Sequence, residues 1–82
     1  MTVYIDQLKQ YDGKRKHYAH LMADSTEELH KFAAMIDVKR CWFHKDHYDL
    51  SQDKFDDAVL SGAIVVTSRE LVQLRKDRRA KI

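Results

Sequence analysis

His17-Tyr18-Ala19-His20-Leu21-Met22-Ala23-Asp24-Ser25-Thr26-Glu27-Glu28 decides the fold, because it holds the body of a strand and the start of a helix with no linker between them. From His17 to Met22 the side chains alternate, so extended backbone puts His17, Ala19 and Leu21 on one face and Tyr18, His20 and Met22 on the other. Asp24 to Glu28 ends that pattern. Ser25 followed three residues later by Glu28 is a capping box, and the acidic first turn suits the positive end of a helix. Leu29, Phe32, Ala33 and Ile36 then recur at helical spacing, which predicts a helix to about Asp37 with those four residues turned inward.

Upstream of this unit, Val3-Tyr4-Ile5 has the β-branched and aromatic character of a buried first strand. Gln7 to Lys16 reads as a loop or wide hairpin. Its Gly13-Lys14-Arg15-Lys16 segment lacks the preceding glycine and following Ser/Thr of a phosphate loop, and reads as a mobile basic loop. Downstream, Val38 to Phe43 reads as a short third strand. Ser51 opens a helix bearing Phe55, Ala58, Val59 and Leu60, which Gly62 can stop. Ala63-Ile64-Val65-Val66-Thr67 has the pattern of a strand buried on both faces, and Ser68 then caps a last helix with Leu71, Val72 and Leu74 inside. The order β-β-α-β-α-β-α predicts an α/β (or α+β) domain, residues 1–82, with about four strands and three helices packed on one sheet.

Composition bounds what such a domain can do. With 44% hydrophobic and 34% charged residues the chain has the balance of a folded domain, not a disordered tail. At 82 residues it buries only roughly 60 to 65% of the surface its unfolded form exposes, so a shallow groove, or a site completed in a homo-oligomer, is expected in place of a deep cavity. The single cysteine, Cys41, excludes an intrachain disulfide and reads as a small buried apolar residue. The N-terminus meets Asp6 too soon for a signal peptide, and no apolar run approaches the roughly 20 residues of a membrane span. A cytoplasmic protein with no membrane partner is expected. Net charge is +2, with the basic excess in the last helix.

His44-Lys45-Asp46-His47-Tyr48-Asp49 is the densest run of groups that can carry chemistry. In a strand His47 and Asp49 point to one side, and His44 reaches them if the Lys45-Asp46 link turns. Imidazole nitrogens with carboxylate oxygens suit a divalent transition metal, although His-x-x-His-x-Asp matches no closed zinc motif. A metal-free hydrogen-bonding site and purely structural histidines fit the same residues. Upstream, His20 near a strand end and Asp24 at the strand-to-helix junction are the matching candidates, with Asp24 as a simple helix cap the alternative. Trp42 and Tyr48 beside Lys39 and Arg40 can stack a base and hold phosphate, although Trp42 and Phe43 suit a core equally. No nucleophile elbow is present.

Taken in order, Val3-Tyr4-Ile5-Asp6, His20-Leu21-Met22-Ala23-Asp24, Glu27-Glu28-Leu29-His30, Trp42, His47-Tyr48-Asp49-Leu50 and Gly62-Ala63 resemble a small bacterial and bacteriophage family catalogued as domain of unknown function 4031. The resemblance implies a phage or its bacterial host, hence the host cytoplasm, and carries no activity. It also implies a glycine at the end of the first helix, where this chain has Asp37.

Three readings of function follow. The first is binding of a nucleotide or other phosphate-bearing small molecule, by sequestration without turnover. Here Lys39, Arg40 and Arg69 neutralise phosphate, Trp42 or Tyr48 stacks, and His20, Asp24, His47 and Asp49 fix polar edges. The second is a metal-dependent hydrolase, a nuclease or phosphoesterase, with a divalent metal on His20, Asp24, His47 and Asp49. The third is a nucleic-acid or protein-binding adaptor built on the basic last helix.

Overall fold

Alternation along His17–Ala23 becomes the central strand of a sheet with two unlike faces. The computed structural model describes residues 2–7, 9–10 and 17–80, so the basic segment Gly13–Lys16 lies outside the described residues. The elements are β1 (Val3–Ile5), β2 (Lys9–Gln10), β3 (His17–Ala23), α1 (Thr26–Met35), β4 (Phe43–His44), β5 (His47–Ser51), α2 (Gln52–Leu60), β6 (Ile64–Val65) and α3 (Ser68–Ala80). They form the expected mixed α/β domain, with three α-helices among the described residues. The sheet runs β4-β5-β3-β1-β6, with β2 also paired to β3. Only the β1–β6 pair is parallel; the other pairs are antiparallel. The strands beyond the expected order are β2, a two-residue arm within the expected loop, and β5, while β4 overlaps the end of the expected third strand.

One face is the core. Val3, Ile5, Ala19, Leu21, Ala23, Tyr48 and Leu50 meet Leu29, Phe32, Ala33 and Ile36 of α1 and Ala58 of α2 in a single buried cluster. At roughly 25 cal/mol per Å² of apolar surface removed from water, this face supplies most of the drive to fold. The other face carries His20, Met22, His47 and Asp49, and α3 lies across part of it. The α3 residues facing it are Ser68, Leu71, Val72 and Arg75, a stripe at i, i+3, i+4 and i+7.

Both helices on the core face end in the same way. Val38 N–H bonds Ala33 O at 2.8 Å and Asp37 N–H bonds Ala34 O at 3.2 Å; Ala63 N–H bonds Ala58 O at 3.0 Å and Gly62 N–H bonds Val59 O at 3.1 Å. This is the Schellman arrangement, which needs positive φ at the residue after the cap. Gly62 meets that need at 108° and Asp37 at 60°. Lys54 Nζ then donates to Ile36 O at 2.8 Å, tying α2 to the end of α1.

Several local expectations are corrected. Val38 to Phe43 is not one extended strand: Arg40–Trp42 forms a 3₁₀ turn, and only Phe43–His44 pairs with β5. Cys41 is exposed, because that turn carries it outward. The run Ala63 to Thr67 is an edge and not a doubly buried strand, with Ile64 50% and Val65 45% exposed, since among the described residues β6 has a neighbour only in β1. Leu60 is 86% exposed and Val59 also faces solvent, so only Phe55 and Ala58 of α2 turn inward. The last helix is capped by Thr67 and not Ser68: Thr67 N–H bonds Glu70 Oε1 at 3.2 Å and Glu70 N–H bonds Thr67 Oγ1 at 3.1 Å. Val72 is likewise half exposed, although Leu71 is buried. No helix among the described residues is long and apolar enough to cross a membrane.

Two stability predictions follow. Asp37→Gly removes the Cβ from a left-handed position and should raise stability by about 0.5 to 1 kcal/mol in chemical denaturation, whereas Asp37→Ala should give no gain. Leu29, fully buried at the centre of the core, should lose roughly 2 to 5 kcal/mol on substitution by Ala in the same assay.

Candidate functional site

Beyond Ile5, β1 turns its next side chain onto the open face, where Asp6 is only 2% exposed. Burying a carboxylate is costly unless hydrogen bonds replace its water. His20 supplies them. Its backbone N–H donates to Asp6 Oδ1 at 2.6 Å and its ring Nδ1 lies 2.8 Å from Asp6 Oδ2, while Asp6 N–H donates back to His20 O at 3.2 Å. A carboxylate can only accept, so Nδ1 carries the ring proton and Nε2 is turned toward Asp49, 3.7 Å from Oδ1.

The neighbouring strand repeats the device. A two-residue turn, Lys45-Asp46, joins β4 to β5 with Lys45 at φ 58°. It brings Asp46 Oδ1 to 2.9 Å from His47 Nδ1, and Arg75 Nε from α3 holds the other oxygen, Asp46 Oδ2, at 2.9 Å. His47 Nε2 therefore also faces Asp49 Oδ1, at 3.3 Å. Because β3 and β5 are paired with His20 opposite Asp49, both imidazoles and the carboxylate converge. The two rings lie edge to face with centroids 5.1 Å apart.

The electrostatics match this geometry. The hydrogen bond that His20 donates to Asp6 holds the His20 pKa above the ordinary histidine value against the opposing effect of burial, and the charges of Asp6 and Asp49 add to it. Burial alone would raise Asp46, but hydrogen bonds from His47 and Arg75, with the Arg75 charge, hold it below the usual carboxylate range.

His20, His47 and Asp49 each offer one ligand atom, all within 4.8 Å of one another. Ligand atoms roughly 2.0 to 2.2 Å from a tetrahedral ion stand about 3.3 to 3.6 Å apart, and the two nitrogen–oxygen separations, 3.3 and 3.7 Å, lie close to that range. The carboxylates behind each Nδ1 are the second layer that fixes ring orientation in such sites. Beside the triad lies a cleft of about 180 Å³ under α3, lined by Asp6, His20, Met22, His47, Ser68, Leu71, Val72 and Arg75.

Other expected site residues are elsewhere. Asp24 is exposed at the far end of β3, where it accepts a bond from Tyr4 OH at 3.1 Å, and it takes no part in the triad. Tyr48 points to the core face; burial raises its pKa, and its hydroxyl meets His30 Nδ1 at 2.7 Å. Trp42, 47% exposed, and Arg40 sit on the 3₁₀ turn, where the Arg40 charge bears on His30 and Tyr48. Arg69 is exposed on α3 and does not line the cleft. His44 stands at the edge, its ring 5.6 Å from that of His47. The residues that sequence reading passed over are Asp6, Asp46 and Arg75. For Asp6 the signal was present: period two from buried Ile5 places it on the His20 face.

A sequence model of the family described as Protein of unknown function (DUF4031) matches residues 3–78, and the chain belongs to that family. No curated protein and no solved structure matches the chain.

A histidine whose pKa is higher in the folded than in the unfolded state stabilises the fold while protonated. That contribution is complete below the ordinary value of 6.5 and is lost as pH rises through the raised value. In metal-free protein, an NMR titration should therefore place His20 above the ordinary range, and Asp6→Asn should bring it down. A wild-type His20 titrating at or below the ordinary value would show that the pair does not form in solution.

Proposed function

We propose that the protein is a divalent-metal-dependent hydrolase acting on phosphate esters, with the metal held by His20, His47 and Asp49. The observation that carries this reading is the convergence of two Nε2 atoms on one carboxylate oxygen, at 3.7 and 3.3 Å, with each Nδ1 already tied to a separate carboxylate. Three protein ligands leave a coordination position open, as catalytic sites require. A divalent ion there supplies Lewis-acid polarisation of a phosphoryl oxygen and lowers the pKa of a coordinated water.

The chain's own groups have distinct tasks. Asp6 and Asp46 hold the imidazoles in one tautomer and orientation, Arg75 supports Asp46 from above, and α3 limits access of solvent to the reacting face. Hydrolysis consumes one water: its oxygen forms the new bond to phosphorus, the ester P–O bond breaks, and the departing oxygen takes up a proton the water gives up. Sequestration of a nucleotide draws less support, because the stacking residues that reading needs, Trp42 and Tyr48, do not line the cleft that holds the histidines.

Untagged protein should bind one equivalent of Zn²⁺, Co²⁺ or Mn²⁺ by calorimetry. His20→Ala, His47→Ala and Asp49→Asn should each weaken binding by about 10- to 100-fold or more, and Asp24→Asn should leave it unchanged. Metal-loaded protein should hydrolyse chromogenic phosphate esters, and chelation should abolish the activity. A wild type that takes up none of these ions, or turnover that survives chelation, would defeat the proposal.

A further inference from the structure

Arg75 and Ser68 stand two helical turns apart on the same stripe of α3, and both line the cleft beside the triad. Among the described residues, Arg75 spends only Nε on Asp46, at 2.9 Å, and makes no other hydrogen bond or ion pair. Its two terminal amino groups thus retain their donor capacity in a guanidinium that is about one-third exposed. Ser68 Oγ is a buried side-chain oxygen with no hydrogen-bond partner among the described residues. A buried hydroxyl left unpaired costs free energy, so such an atom in a native fold asks for an explanation. A guanidinium with donors to spare and an unsatisfied hydroxyl, carried by two residues that line one cleft, are the groups that recognise an oxyanion.

The remaining walls limit what the oxyanion can belong to. Met22 and Leu71 are nearly fully buried and, with Val72, make the apolar part of the lining, which Asp6, His20 and His47 complete. A cleft of about 180 Å³ is smaller than the roughly 300 to 1,000 Å³ of pockets that enclose a whole drug-sized ligand. It has room for a phosphoryl group and the first atoms attached to it. A group entering end-on, with the rest of its molecule outside, needs less of this volume than an internal phosphodiester, which is flanked on both sides.

Building on the metal-site reading, we infer that the Arg75 guanidinium and the Ser68 hydroxyl form an oxyanion pocket for a terminal phosphate, which makes the substrate class a phosphomonoester. The phosphate lies between the metal position and α3, and the ester's organic part leaves along the apolar wall of Val72. Asp49 lies against the Nε2 atoms of His20 and His47, outside the cleft lining, and a metal held there would take up its charge. Arg75 so has two contacts, Asp46 through Nε and phosphate through its terminal amino groups, and through them α3 is coupled to the bound anion.

The test uses inorganic phosphate, with dimethyl phosphate as a diester probe. Both are titrated into Co²⁺-loaded protein, followed by the visible spectrum, and into metal-free protein, followed by amide and side-chain NMR shifts. Phosphate should bind in both states, moving the Ser68 and Arg75 signals, and dimethyl phosphate should bind at least about tenfold more weakly. Arg75→Gln should weaken phosphate binding by about tenfold or more, and Ser68→Ala by a few-fold, the loss of a charged and a neutral hydrogen bond respectively. Unchanged phosphate affinity in Arg75→Gln, or equal affinity for the diester, overturns the inference. Absence of Co²⁺ binding counts against the metal site alone, because the metal-free titration still decides whether the pocket exists. If Arg75→Gln also loosens Co²⁺ through Asp46, that same titration separates the two effects.

Discussion

The constraint on which the arrangement depends is the burial of the Asp6 carboxylate. Its donors are the backbone N–H and the ring Nδ1 of His20, and the backbone bond from Asp6 to His20 O closes the pair. The residue that satisfies the charge is thereby fixed in position, tautomer and protonation preference. Asp6 follows Ile5, one of the fully buried core residues, so the pair is set by the same register that packs the hydrophobic face. Displacing β1 by one residue along β3 would expose Ile5 and leave the carboxylate without donors. Core packing and site geometry are therefore selected by one pairing of strands.

That coupling explains how so small a chain carries a shaped polar site. A domain of this size has too little volume for a core and a cavity in the same layer. The sheet separates them: α1 and α2 close the apolar face, and α3 covers only part of the polar one. Leu71 and Met22 anchor α3 over the sheet, and Arg75 to Asp46 adds a polar contact at 2.9 Å. The helix that shields the site thus rests on a much smaller apolar contact than the two beneath the sheet. Loosening of α3, more than of α1 or α2, is the motion that would admit a ligand.

What could be read from the sequence is what strand periodicity and local capping determine. Alternation put His20 opposite the core residues Ala19 and Leu21, and put His47 and Asp49 on one side of β5, as the structure places them. It gave no means of knowing that β3 and β5 are neighbours with His20 opposite Asp49, since register between strands is a long-range property. Asp46 and Arg75 acquire their roles through the tight turn and through α3, which no spacing along the chain reveals. The errors share a cause. Ala63 to Thr67 and Cys41 were assigned by side-chain type, but burial depends on having a neighbour, and β6 lies at an edge while Cys41 lies on an outward 3₁₀ turn. Asp24 was attractive for its place at a strand end; Tyr4 occupies it instead.

The charge balance of the cluster gives the strongest physical reason to expect a cation. Asp6, Asp46 and Asp49 stand against a single guanidinium, and with both imidazoles neutral the group is two charges short of neutrality at ordinary pH. Water screens Asp49, but Asp6 is sealed from it and Asp46 is held between His47 and Arg75. One response is protonation of a histidine, and the raised pKa of His20 is its expression. A proton on His20 removes only one of the two missing charges, and it blocks the Nε2 lone pair facing Asp49. A divalent ion would supply both charges at once and use the lone pairs of His20 and His47 and the Asp49 oxygen together. On the proposed reading metal and proton would compete for one site, so metal affinity should strengthen as pH rises and His20 loses its proton.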